Sequence, residues 1–262
     1  GGYHDFDIAY DPGTHQDKFY GAGLGGYSVW DVSHPENPTE LFTITGLGYD
    51  IAHTFTPSPD GHYAVTETEY QYTPLRIWDL SAAQQGKTHN LDLPISGWTA
   101  DWRDLSHNHE VRWPYVFVSA YEDGLQIFDL KDPLKPKTDG HYYTCLTPAP
   151  GEVASTAGDP PKHASEIPCE HQHGFGGGPQ VGWQSTTSVE QGAFGVDVRN
   201  RDGLIVISDM RSGLWLFHLK GFNGWNGHTY GMPNISSVQD YVHGPEGAPP
   251  TSSAANVGSA GR

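Results

Sequence analysis

Four times the chain repeats one phrase: a glycine-containing turn, then an alternating apolar run ending in an aromatic residue followed by Asp or His. The copies are GYSVWDVSHPENP (26–38), PLRIWDLS (74–81), GLQIFDLKDPLKP (124–136) and GLWLFHLKGF (213–222). A second short strand precedes each: FYGAG (19–23), YAVTETE (63–69), YVFVSAY (115–121) and LIVISDM (204–210). The closing aromatics Trp30, Trp78 and Phe128 are spaced by 48 and 50 residues. Units of that period built only from strand-type segments specify an all-β fold, a β-propeller with four recognisable blades.

The step from Phe128 to Phe217 is 89 residues, one repeat plus an insertion that falls between Tyr142 and Gln191. The organisation read from this is blades 1 to 3 over 1–141, an insertion over 142–191, blade 4 over 192–222, and a largely coil extension over 223–262. Four blades leave the closure of the ring open, because an unclosed stack exposes sheet edges that native proteins cover. Three solutions present themselves: blades preceding Gly1 in a longer chain, cryptic strands around Trp98–Leu105 and Thr229–Val242, or a second chain. The favoured expectation is the first, with this sequence the C-terminal part of a ring of about seven blades.

With 14 basic and 31 acidic residues the formal charge is -17, which repels phosphate backbones and argues against nucleic acid as a partner. No apolar run reaches the roughly 18 residues of a transmembrane segment. Cys145 and Cys169 bracket the irregular part of the insertion, and their pairing is expected, with two buried free thiols the alternative. A disulfide implies an oxidising setting, so the expected location is extracellular or at the cell surface.

The phrases GYSVWDVSHPENPTEL and GLQIFDLKDPLKPK resemble the LVIVD repeat, in which Asp-Val-Ser and Pro-x-x-Pro follow an alternating strand. Asp31-Val32-Ser33 with Pro35 and Pro38, and Asp129-Leu130-Lys131 with Pro133 and Pro136, carry the likeness; the second and fourth copies lack the prolines, and His218 replaces Asp in the fourth. The resemblance implies a secreted or surface bacterial propeller and assigns no reaction. More distantly, the histidine-bearing strands are similar to those of selenium-binding proteins, which implies copper as one candidate cofactor.

Alternation within the phrase sends every second side chain between blades, and the Asp after the aromatic is placed to accept backbone N–H groups in the next turn. Aligning the repeats on their second strands puts His4, His53, His109 and Phe194 at the start of each innermost strand, where equivalent positions converge on the central channel. Three imidazoles at one point suit a transition metal, copper or zinc, with His107 a further candidate ligand. Asp5, Glu110 and Asp197 are the expected carboxylates behind those rings. The same recurrence suits a strut in which each imidazole bonds to the neighbouring blade's backbone.

In the insertion, Glu170-His171-Gln172-His173 beside Cys169 offers His171 and His173 as ligands from above, or simply a polar loop. Tryptophans 98, 102, 113, 183 and 225 fall in connections and are expected to fill gaps between blades. No nucleophile elbow, phosphate loop or dinucleotide fingerprint is present. Two functions follow. One is a secreted binding or scaffold module for a protein or polymer partner in an extracellular assembly; the other is a metal-dependent oxidoreductase or hydrolase centred on the channel histidines.

Overall fold

The architecture is that of a computed structural model describing residues 2–45, 52–70, 73–100, 106–121, 123–144, 192–210 and 212–232. Strands β1 (Tyr3–Asp11), β2 (Gln16–Gly23), β3 (Gly26–Asp31) and β4 (Thr39–Ile44) form the antiparallel meander of blade 1. Strands β5 (Thr54–Pro57), β6 (Tyr63–Glu67) and β7 (Leu75–Asp79) begin blade 2. A single helical turn, α1 (Ser81–Gln84), then leads to β8 (Asn90–Leu91), which pairs parallel with β4 on the rim of blade 1. Strand β9 (Ser96–Trp98) returns to pair with β7 and completes blade 2. Blade 3 comprises β10 (Asn108–Arg112), β11 (Tyr115–Ser119), β12 (Leu125–Asp129) and β13 (Lys137–Tyr142); blade 4 comprises β14 (Ala193–Val198), β15 (Leu204–Asp209) and β16 (Gly213–His218).

These four separate sheets are propeller blades, and the repeated phrase supplies the third strand of each. A strand does form at Trp98, one of the three possible sources of closure, but it is the outer strand of blade 2 and adds no blade. Of the segment from Thr229 to Val242, the described part enters a 3-10 turn over Gly227–Tyr230, and residues from 233 onward lie outside the described residues. So do Cys145, Cys169 and the insertion from 145 to 191.

The alternating residues of the phrase face the following blade. Tyr27 and Val29 enter the core between blades 1 and 2, Leu75 and Ile77 that between blades 2 and 3, and Leu125 and Ile127 that between blades 3 and 4. Each fully buried aliphatic side chain of this kind contributes about 2 kcal/mol through removal from water. The Asp that follows turns the chain as expected: Asp31 accepts from the Ser33 N–H at 2.9 Å, Asp79 from Ser81 at 2.9 Å and Asp129 from Lys131 at 3.1 Å.

Three described tryptophans close gaps between blades. Trp98 stacks on Phe128 with centroids 4.4 Å apart, and Trp113 stacks on Tyr63 at 5.5 Å. Trp225, past the last strand, is buried and donates its indole N–H to the Trp113 carbonyl at 2.8 Å. The C-terminal coil is thus pinned where blade 3 meets blade 4.

Candidate metal centre at the channel mouth

Ladder register identifies the equivalent first residues of the inner strands. The His53 amide bonds to the Glu67 carbonyl at 3.0 Å, and the His107 amide bonds to the Ser119 carbonyl at 2.9 Å. One residue on, Asp5, Thr54, Asn108 and Gly195 pair with Ala22, Glu67, Ser119 and Ser208. The matched set is therefore His4, His53, His107 and Phe194, and their rings form a chain across the mouth. Centroids lie 4.2 Å apart from His4 to His53, 4.7 Å from His53 to His107 and 3.7 Å from His107 to Phe194.

His109 is not in that chain, which corrects the alignment made along the sequence. Its Nδ1 lies 3.0 Å from Thr54 Oγ1, so its ring turns between blades 2 and 3, the position Phe55 holds one blade earlier. The reason is hairpin length. The inner turn of blade 3 is Trp113–Pro114 alone, whereas residues 58–62 and 199–203 make the turns of blades 2 and 4, so residues counted back along the chain do not track rungs of the ladder.

Two carboxylates from the end of β6 complete the cluster, and neither was singled out in the sequence. Glu69 Oε2 lies 3.5 Å from His53 Nε2, and Glu69 Oε1 lies 4.0 Å from His107 Nε2. One donor atom from each of His53, Glu69 and His107 falls within 4.8 Å of the others. Behind them, His53 Nδ1 is held 2.8 Å from Glu67 Oε2, and His107 Nδ1 is held 2.6 Å from the Phe194 carbonyl. A carbonyl only accepts, so His107 carries its proton on Nδ1 and presents a lone pair at Nε2. His53 Nε2 is buried and has no hydrogen-bond partner. Both imidazoles thus have one nitrogen anchored and the other aimed at a shared point, the arrangement of metal-ligating histidines.

Tyr121 braces this group. Its hydroxyl donates to Glu69, its ring meets His107 edge-on at 5.3 Å, and its backbone is held at a left-handed φ of 39°. A non-glycine residue is rarely kept there unless its surroundings require it. The legible signal was Glu67-Thr68-Glu69, in which two carboxylates occupy the places held by Ser119 and Tyr121 in blade 3 and by Ser208 and Met210 in blade 4.

Burial opposes charge on His53, yet Glu67 and Glu69 outweigh it and hold its pKa up, at about 9. Burial raises Glu67 to about 7 despite His53. His107 moves the other way, to about 3, because burial and the neighbouring His53 both disfavour its charge. Its imidazole is neutral at any physiological pH.

His4 is exposed and packs at a tilt against His53 without joining the donor set. Asp5 and Glu110, expected behind the imidazoles, line instead a cavity of about 190 Å³ deeper in the channel, together with Asp7, Asn108 and two threonines. Asp5 accepts from the Phe6 N–H at 2.7 Å, Glu110 pairs with Arg112 at 2.7 Å, and Asp197 lies 3.9 Å from the same guanidinium. Burial and the adjacent Glu110 push the Asp7 carboxyl well above the usual range. His171 and His173 lie outside the described residues.

The blades and their channel define a β-propeller. No sequence-family profile matches the chain, and no curated protein is significantly similar to it. Among solved structures, the chain is similar to the periplasmic gluconolactonase of Pseudomonas aeruginosa, at 10% identity and a TM-score of 0.49 over 83% of this chain and 55% of that one. It is also similar to the β-propeller domain of Cps50 (Swd1) from Myceliophteria thermophila, at 14% identity and a TM-score of 0.45 over 86% of this chain and 59% of that one. The chain thus spans little more than half the length of either.

Proposed function

We propose that the protein is a metal-dependent enzyme that holds a divalent transition ion, zinc or copper, between His53 Nε2, His107 Nε2 and Glu69 at the channel mouth. The observation that carries this reading is the buried Nε2 of His53, which makes no hydrogen bond and is set beside the Glu69 carboxylate at 3.5 Å and a second imidazole whose far nitrogen is already anchored. Two nitrogens and one carboxylate form a three-ligand set that leaves a coordination position open to water or substrate. A bound ion there supplies Lewis-acid or redox chemistry, while Tyr121 and Glu67 hold the ligands in place. An extracytoplasmic location goes with this proposal on the strength of Cys145 and Cys169.

The test is elemental analysis of protein purified without a histidine tag and dialysed against each ion. About one equivalent of zinc or copper, lost on Glu69→Ala or His107→Ala and kept on His109→Ala, supports the proposal. Less than about 0.2 equivalents of any transition metal would sink it.

A further inference from the structure

Ladder register also sets the channel residues of the four blades on common rungs. Asp7, Thr56, Glu110 and Asp197 pair with Tyr20, Val65, Phe117 and Val206, each two residues past Asp5, Thr54, Asn108 and Gly195. All four innermost strands therefore carry an oxygen-bearing side chain at one depth, and three of the four are carboxylates. One residue further, Ile8, Pro57, Val111 and Val198 are all apolar, so the polar lining ends at that level.

This ring borders the cavity of about 190 Å³, whose walls are residues 5–7, 54–56 and 108–110 together with Val196. Among the described residues no lysine or arginine lines it. The Arg112 guanidinium beside the ring is committed elsewhere, pairing with Glu110 at 2.7 Å and donating to the Val198 carbonyl at 2.6 Å. Asp7 has no such partner: its carboxylate takes the Ile8 amide and makes no side-chain hydrogen bond or ion pair among the described residues. Burial and Glu110 push that carboxyl up, the state of an acid that lacks a counter-charge. Thr56 is 7% exposed, lines the same cavity and makes no hydrogen bond among the described residues. Polar side chains this deep are normally paired, so both point to a ligand.

We propose that this cavity binds a small organic ammonium cation, whose N–H groups are accepted by the Asp7 carboxylate and the Thr56 hydroxyl. The sign of the ligand follows from the lining, which holds Asp5, Asp7 and Glu110 and no cation of its own. A bare divalent ion fits less well, because it needs six to eight oxygens converging at about 2.3–2.6 Å. Among the described residues, the group that brings three such ligand atoms within 4.8 Å of one another is His53, Glu69 and His107 at the mouth, and the cavity's acids form no such group. An alkylammonium carries its donors outward on a hydrocarbon body and can reach acceptors that stand farther apart. The cavity has the volume of about six water molecules, room for a short-chain amine. The formal charge of -17 draws cations toward the channel. This inference does not depend on a metal at the mouth.

The experiment is calorimetric titration of the chain with putrescine, with butanediol as its neutral counterpart of the same length, and with calcium chloride, all in physiological salt to screen general attraction to the acidic surface. The expected result is one putrescine per chain and no binding of the diol or of calcium, unchanged after treatment with EDTA, which separates this site from the metal centre. Asp7→Asn should weaken putrescine about tenfold or more, because a charge-assisted bond is lost, and Thr56→Val about threefold. Asp92→Asn, at an exposed carboxylate, should leave it unchanged. Circular dichroism checks that each variant keeps its strand content; should Asp7→Asn lose it, Thr56→Val and the comparison of amine with diol decide. Diol binding as tight as putrescine would overturn the proposal, as would calcium binding that depends on Asp7. Putrescine binding indifferent to both Asp7→Asn and Thr56→Val, or none at all, would also overturn it.

Discussion

Nδ1 of His53 stands 2.8 Å from Oε2 of Glu67, and both side chains are 2% exposed, so the orientation of the imidazole is set by a carboxylate that touches no solvent. Thr54 donates to the same oxygen at 3.2 Å, which fixes the carboxylate in turn. If Nε2 of His53 is a metal ligand, Glu67→Gln should weaken binding about 10- to 100-fold without abolishing it, since the ring remains but its tautomer and basicity are no longer enforced. Metal titration by calorimetry reads this directly. An unchanged affinity would remove Glu67 from the site.

Proton release should accompany binding. Glu67 and Glu69 hold the His53 pKa up at about 9, so at neutral pH the ring is protonated on both nitrogens and a metal must displace the Nε2 proton. His107, held near 3, gives up none. Affinity should therefore rise about tenfold per pH unit between roughly pH 6 and 9 and level off above that. Calorimetry in buffers of different ionisation enthalpy counts the proton, and a pH-independent affinity would contradict the assignment.

Lys18 of β2 and Asp11 of β1 form an ion pair at 2.5 Å buried within blade 1, with side chains 0% and 6% exposed, and Lys18 also donates to Gln84 of α1. Burial works against the Asp11 carboxylate, but Lys18, the Gly13 amide and the Thr14 side chain outweigh it and leave its pKa lowered. The folded state thus favours the ionised form. The resulting stability is present in full above the unfolded value of about 4 and is lost as pH falls through the folded value. Asp11→Asn should cost about 3 kcal/mol at pH 7, because Lys18 is left charged and buried without a counter-ion, its bond to Gln84 being neutral, and the penalty should shrink in acid. Urea melts at pH 7 and pH 3.5 compare the two.

The glycine that opens the phrase carries unequal weight in different blades. At Gly124, φ is 68° and a Cβ would stand 2.2 Å from the Tyr142 carbonyl oxygen and 2.7 Å from the Thr144 nitrogen. At Gly213, φ is 91° and nothing lies within 4 Å. Gly213→Ala should cost only the left-handed backbone penalty of about 1 to 2 kcal/mol. Gly124→Ala adds a backbone clash and should cost roughly twice that. Equal melting temperatures would show that strand β13 shifts freely.

The four recognisable blades and the identity of each third strand were legible because they depend on local periodicity. The Gly-apolar-x-apolar-aromatic pattern states which side chains go between blades, and the following Asp closes its own turn within two residues. No long-range information enters. The outer strand β9 could not be assigned to blade 2 from the sequence, because its three residues, Ser96 to Trp98, carry no pattern apart from their pairing with β7.

The channel site was half legible. The recurrence of His4 and His53 marked the place, but choosing between His107 and His109 required the ladder register, since hairpins of different length displace the count along the chain. Glu69 and Tyr121 were out of reach for a different reason. They lie past the ends of second strands, 52 residues apart, and meet His53 and His107 only because successive blades wrap around one axis. A sequence repeat defines a unit and the face by which it packs. Which ends of those units share a few cubic ångströms depends on the rotation from blade to blade, and that is settled by packing in three dimensions.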